Sequence, residues 1–504
     1  MAIEFQNLDA ASRASLIAIE LRGIRRSVSG NNVPQIGLFP GQYDQAKIAG
    51  IADYVPVQVF NADDVASKAG FGSEAHREAL WIFGILGGFY DNLWWVPIPE
   101  PGTTVAASDD VVFATESTSS GTYFFSIGGD MVSFAVPSGS TPTEIGALFV
   151  AAITAKQNIA VSASNAIGTV TITAKTSGVN GNEISIVQNP GGQTQAALAP
   201  SGTTVTVPGS GGYLTSGAGV TDVHDMFFQS DESDALGDRW YTQIAGPYTD
   251  STNLGYYKDS WDLRSAADIK RRFDSTFGYV KELYAAAYAI PATINSEGIS
   301  PIWEPRSYAP HWELQAAVMG LKMASATIDP GRPFKTLSVG IPADTSTGDL
   351  TFKENDALYK AGMGYCKIVS DELVLGDQAI SYRTNAVAAA TEEWFDSVSQ
   401  TRRQQLVYDV EQLFLNEPYV RGMVSDDTSI TNKSYVIKPK KVVSDLSALV
   451  DVWSLNGWVK NAADIKASIA AEINATNNSR IDSEMEVDEA LALRIIGIVE
   501  KFFY

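Results

Sequence analysis

The side chains best suited to nucleophilic or metal chemistry are few in this 504-residue sequence: three histidines, His76, His224 and His311, and one cysteine, Cys366. A zinc hydrolase places two histidines one helical turn apart around a carboxylate, and no H-E-x-x-H or H-x-x-x-H occurs. Neither a P-loop nor a G-x-S-x-G elbow is present. His76, near a helix start, reads as a surface or capping residue, and His224 and His311 read the same way. Cys366 reads as a small core residue, because thiolate activation needs a positive neighbourhood. A single cysteine also excludes an internal disulfide. The adjacent acids Asp63-Asp64, Asp109-Asp110 and Asp426-Asp427 suit caps or solvated turns, since neighbours in sequence do not face one another on a helix. The run Gly84-Ile85-Leu86-Gly87-Gly88 suits packing or a turn better than a phosphate cradle. No catalytic, cofactor-binding or metal residue is predicted. The densest basic spots are Arg402-Arg403 and Lys438, Lys440 and Lys441. They read as a solvated face or as a contact for an acidic partner.

The composition agrees with a non-catalytic role. A net charge of −22 argues against wrapping nucleic acid or lying on an anionic membrane. With 45% hydrophobic and 19% charged residues the chain is expected to fold throughout. Its longest apolar run, Ala79 to Tyr90, is about 12 residues, short of the ~20 that span a bilayer, so no membrane insertion is expected. Met1-Ala2-Ile3-Glu4-Phe5 lacks the basic-then-apolar start of a signal peptide. Synthesis and folding in a cytoplasm are expected.

The elements fall into blocks. Leu16 to Leu21 and Leu491 to Val499 are short apolar β-like runs near the two ends. Val33–Phe39, Val55–Phe60 and Trp94–Ile98 read as strands. Between them come helices capped by Asn61 and Ser73, whose side-chain oxygens can accept from free N–H groups. From 101 to 220 only eight residues are charged. That stretch predicts strands at Tyr123–Ile127 and Thr169–Ala174, a helix over Glu144–Lys156, and a linker over Pro200–Gly219. Alternation resumes with a strand at Trp240–Ala245, a helix from Asp250-Ser251, a strand over Glu282–Ile290, an amphipathic helix over Trp312–Ala326 and a strand at Ala379–Thr384. Helices are predicted at 391–415, 443–455 and 461–475, the last capped by Asn461.

Several segments in chain order resemble the contractile phage tail sheath proteins of the Mu-like family. Thr327-Ile328-Asp329-Pro330-Gly331-Arg332-Pro333-Phe334-Lys335-Thr336-Leu337 resembles its D-P-A-R-P-L-x-T-L stretch. Ala379-Ile380-Ser381-Tyr382-Arg383-Thr384-Asn385-Ala386 resembles R-x-I-T-T-Y-x-T-N-A. Ile437-Lys438-Pro439-Lys440-Lys441 resembles a T-P-K helix entry. Gly457-Trp458-Val459 through Asn474 to Asp482 resembles G-L-V-E through N-x-x-D-P-N-R-L-D. Trp94–Ile98 resembles L-W-x-V-P-L. Two features depart from the family: Asn478-Ser479-Arg480 lacks its proline, and its arginine run is reduced to Arg402-Arg403.

The resemblance implies an α+β multidomain protein. An α/β layered sheath core (31–99 and 222–385) would carry an inserted small β-rich outer domain with its linker (100–221). A helical C-terminal domain with a β-sheet (386–485) would face the tube, and extended arms would lie at 1–30 and 486–504. It implies a structural subunit that needs no cofactor. Such a subunit polymerises with itself around an inner tail tube protein, between baseplate and tail terminator proteins, in a virion assembled in the bacterial host cytoplasm. The sheath is metastable when extended and drives the tube through an envelope as it contracts. Inter-subunit arm contacts would fall to Leu16, Ile17, Ile19, Leu21, Leu493, Ile495, Ile496, Ile498 and Val499. Tube-facing contacts would fall to Arg402, Arg403, Lys438, Lys440 and Lys441. The competing readings are a phage-derived bacteriocin sheath, a carbohydrate-binding surface protein and a subtilisin-like hydrolase.

Overall fold

A computed structural model describes residues 32–45, 50–102, 104–209, 212–393, 395–427 and 433–494. These form two compact units, one of residues 32–407 with 491–494, the other of residues 408–490. The fold is α+β multidomain.

The larger unit opens with β1 (Gly37–Gln42), β2 (Val57–Val59), α1 (Ala62–Ala69), α2 (Glu74–Ile85) and β3 (Leu93–Ile98). The two expected caps are present: Asn61 accepts from the Asp64 N–H and Ser73 from the His76 N–H. An insertion follows, with β4 (Ala106–Phe113), β5 (Gly121–Ile127), β6 (Asp130–Val136), α3 (Pro142–Thr154), β7 (Val161–Ala166), β8 (Thr169–Ser177), β9 (Ile186–Gln188), α4 (Gln193–Ala196) and β10 (Val205–Thr206). The chain then returns through α5 (His224–Phe227), β11 (Gln243–Ala245), α6 (Ser251–Arg264), β12 (Asp274–Tyr279), α7 (Tyr284–Ile294), β13 (Ile299–Trp303), α8 (His311–Ile328), α9 (Phe352–Ala361), β14 (Gly364–Val369) and β15 (Glu372–Leu375).

Among the described residues, an eight-stranded sheet runs β15-β14-β13-β12-β11-β1-β3-β2. The six inner strands are parallel, and β15 and β2 close the edges antiparallel. Parallel sheets require cover on both faces, and β1, β11, β12 and β13 are buried along their whole length. Successive side chains alternate faces. Phe39 and Trp95 therefore pack with Val65, Ile82 and Met319 of α1, α2 and α8. Leu38 and Val96 pack with Tyr257, Trp261, Ala287 and Leu358 of α6, α7 and α9. The expected amphipathic helix is α8, but it is buried on nearly every side.

The insertion holds its own core. A four-stranded sheet (β10-β4-β8-β7) and a three-stranded sheet (β6-β5-β9) enclose Phe113, Tyr123, Phe125, Phe134 and Phe149. The Phe125 and Phe149 rings stand 4.6 Å apart. Thr141 and Glu144 cap α3 reciprocally. Pro200–Gly219 is no free linker among its described residues: β10 pairs with β4, and Tyr213, Thr215 and Ala218 bridge to Ser185, Ser108 and Val105. Asp109 and Asp110 lie within β4 and not in a turn. Their carboxylates accept from the Thr215 and Thr171 hydroxyls at 3.2 and 2.6 Å.

Three further expectations are corrected. Glu282–Ile290 is not a strand but the start of α7, because Ala285, Ala286, Ala287 and Ala289 carry the highest helix propensity. Ala379–Thr384 makes only isolated bridges, and the sheet is completed instead by β14 and β15. The segment 461–475 splits into a short helix and a strand.

In the smaller unit, α10 (Val398–Leu415) enters across the division, followed by β16 (Met423–Val424), β17 (Val436–Ile437), α11 (Pro439–Leu455), α12 (Ala462–Ser468), β18 (Ala470–Ile473) and β19 (Ile481–Glu484). The β18–β19 hairpin is closed by Asn474, whose Oδ1 accepts from the Thr476 and Asn477 N–H groups at 2.9 Å each. That turn chemistry overrides the Ile465, Ile469, Ile473 spacing. Asn461 does not cap α12 by its side chain; it adopts a left-handed backbone and donates to Asp488. Trp453 is fully buried, and its Nε1–H donates to Asp409 at 2.9 Å.

Candidate functional site

The most chemically loaded region joins the insertion to the body within the larger unit. On α2, Glu74, Arg77 and Glu78 share one face by their i, i+3, i+4 spacing, and all three are buried. Arg77 forks onto Glu313 at 2.8 and 2.9 Å and pairs with Asp130 of the insertion at 2.7 Å. The Arg77 guanidinium also donates to the Asn158 carbonyl, and Trp81 donates to Glu313. His311, at the start of α8, meets Glu183 of the insertion at 2.6 Å and the Pro247 carbonyl at 2.7 Å. Asn180 of the insertion donates to Glu74 at 3.3 Å. Such bidentate, water-excluded pairs fix orientation, and breaking one leaves an uncompensated buried charge. These contacts tie the insertion to α2 and α8 of the body.

The same groups titrate unusually. Burial alone would depress the His311 imidazole, but the Glu183 carboxylate and the Pro247 carbonyl hold it up to about 9. Burial pushes Glu74 up to about 7, and burial with the nearby Glu74 charge raises Glu78 well above the usual carboxylate range. Each folded-state value lies above its unfolded one, so the folded chain binds more protons. The stability contributed by Glu74 and Glu78 is complete below about pH 4.5, and that by His311 below about pH 6.5. The Glu74 contribution is lost as pH rises through about 7, and that of His311 through about 9. The melting temperature is therefore expected to fall from pH 6 to pH 9, and Glu74→Gln to flatten that slope. A wild-type melting temperature that rises or stays level over that interval contradicts the assignment.

Among the described residues, no histidine ring nitrogen hydrogen-bonds a serine hydroxyl. Both His311 ring nitrogens are occupied by the contacts above. His76 is not at the surface as expected but fully buried, with Nδ1 accepting from the Gly72 N–H at 2.9 Å. Burial, aided by Arg77, lowers its pKa to about 4. His224 lies between Asp225 and Glu232 at 2.9 and 3.4 Å. Cys366 is buried, and burial raises its thiol pKa. Among the described residues no metal-binding cluster of His, Cys, Asp or Glu occurs, and no helix is long and apolar enough to cross a membrane.

The expected arm residues Leu16, Ile17, Ile19, Leu21, Ile495, Ile496, Ile498 and Val499 lie outside the described residues. Leu493 is described; its side chain is 65% exposed and its carbonyl accepts from Lys335 Nζ at 2.6 Å. Arg402 is not on a solvated face as expected: at 3% exposure it is packed inside the larger unit, near the Gly331 carbonyl and Asp396. Arg403 is half-buried and donates to the Glu393 carbonyl at 2.8 Å. In the smaller unit, Lys438, Pro439, Lys440 and Lys441 open α11. Lys440 is exposed, while Lys441 pairs with Asp445 at 2.9 Å beside the Tyr419 ring. The sequence reading missed the internal clamp; the Glu74, Arg77, Glu78 spacing was its only local sign.

The chain is similar along its length to the Mu-like prophage FluMu tail sheath protein of Haemophilus influenzae, with 22% identity over 494 residues covering 96% of each chain. No family model matches. Among solved structures it overlaps a sheath tail protein from Desulfitobacterium hafniense (11% identity, 94% of this chain and 100% of that one, TM-score 0.46). It also overlaps the anti-feeding prophage helical sheath in its contracted state (10% identity, 98% and 99%, TM-score 0.47).

Proposed function

We propose that this chain is the structural subunit of a contractile tail sheath. It polymerises around an inner tube in a metastable extended form and contracts to drive that tube through an envelope. The observation that carries the reading is the collinear similarity to a tail sheath protein over 96% of both chains. The subunit works without catalysis: the work of contraction is stored in subunit contacts at assembly. Its partners are further copies, a tube protein, and baseplate and terminator proteins, met in the bacterial host cytoplasm before incorporation in a virion.

Contraction demands contacts that survive the motion and contacts that break. The terminal runs serve the first kind, as strands added to a neighbour's sheet edge. The β18–β19 hairpin suits the receiving role, since among the described residues no third strand pairs with it. Arg403, Lys438, Lys440 and Lys441 serve the second kind, as charge-complementary contacts to the tube. The purified protein is expected to form hollow cylinders in negative-stain electron microscopy. A species that stays monomeric at every concentration tested, including with tube protein present, overturns the proposal.

A further inference from the structure

The last described residues carry an anchor of their own. Arg494 pairs with Asp396 and lies 3.7 Å from Asp377. Its guanidinium stands 4.7 Å from the centroid of the Tyr359 ring and 5.6 Å from that of Phe395, two rings that meet edge-on at 4.6 Å. The seat is prepared on several sides. Tyr365 donates to Asp377 at 2.9 Å, Arg383 covers the Phe395 ring at 4.6 Å, and Lys335 Nζ holds the Leu493 carbonyl. The Asp396 side chain is only 15% exposed. Leu491 and Leu493 are 74% and 65% exposed, so apolar burial does not hold this segment. What holds it is one arginine in a charged and aromatic socket, together with a lysine on the backbone.

We propose that Arg494 is a latch in cis, fastening the root of the C-terminal segment to the subunit's own body. This rests on the reading of residues 495–504 as an inter-subunit arm. A fixed root gives that arm a defined starting point on the body. It aims the arm at one neighbour and keeps the body attached to it as bodies rotate. Without the latch the free length grows back toward the smaller unit, and the effective concentration of the arm at its receiver changes.

Trypsin reads the latch directly, because a seated arginine is a poor substrate and Lys501 in the same tail serves as the internal standard. In the unassembled full-length subunit, Asp396→Asn is expected to speed cleavage after Arg494 by about tenfold relative to Lys501, the factor of a single charged contact. A second measurement does not depend on Asp396, which also lies beside the start of α10. Cys366 is buried, so a spin label on Ala492→Cys reports this segment selectively. The label is expected to be immobile in the otherwise native chain and mobile when Arg494→Ala is added. Cleavage after Arg494 as fast as after Lys501 in the native chain, or a label equally mobile in both variants, overturns the latch. Cylinder formation scored on the same preparations separates the two readings. A latched chain that never assembles sinks the arm and not the latch, and an assembling chain with a free Arg494 sinks only the latch.

Discussion

Truncation after Arg494 is expected to leave a folded subunit that builds no cylinders. The ten residues removed lie beyond the anchoring arginine, so the body keeps its sheet, its clamp and its melting temperature. What is lost is the strand that a neighbour would receive. A short added strand makes about four main-chain hydrogen bonds, each contributing ~0.5–1.5 kcal/mol net, which sums to ~2–6 kcal/mol per link. At 1.4 kcal/mol per decade, each link weakens by about thirtyfold to twenty-thousandfold. Every subunit in a helical wall carries the same defect, so the wall does not form. Sedimentation velocity and negative-stain images of wild type and truncation side by side give the answer. Cylinders of normal length from the truncated chain would remove the C-terminal arm from the account.

Lys322→Ala is expected to destabilise the larger unit by about 3–5 kcal/mol. Lys322 of α8 and Asp274 of β12 are both fully buried and pair at 2.9 Å. The lysine also donates to Thr276 Oγ1 at 3.1 Å, and Asp274 accepts from the Ser300 hydroxyl of β13 at 2.6 Å. Removing the lysine strands a carboxylate in a dry interior, which accounts for that cost. Replacing both partners by apolar residues, Lys322→Met with Asp274→Val, is expected to recover most of it, because neither charge is then buried alone. Denaturant melts of the three proteins test this, and a single-variant loss under about 1 kcal/mol contradicts it. The pair pins a helix to the centre of the sheet.

The parts legible in the sequence were those decided by nearby residues. Asn61, Ser73 and Asp250 cap their helices as their types dictate. Trp94–Ile98 forms a buried strand because its alternating apolar residues serve both faces of the sheet. The parts that were not legible depend on partners far away in the chain. β12 begins Asp-Ser-Thr, and Asp274 and Thr276 find their partners in the sheet interior in Lys322 and Ser300. His311 looked like a surface residue because Glu183, its partner, is 128 positions away. Arg402 looked like an exposed charge for the same reason. Proline-poor Glu282–Ile290 looked like a strand from its apolar content, although its alanines favour a helix. The assembly residues were the hardest to place, since a subunit alone does not contain the neighbour that would bury them.

Electron cryomicroscopy of the assembled sheath, traced residue by residue before and after contraction, is the decisive measurement. Residues 495–504 of each subunit are expected to pair as a strand with a neighbouring copy in both states, while the contacts between globular bodies and with the tube change. A tail folded back on its own subunit in both states, or a strand link that parts on contraction, would contradict this expectation.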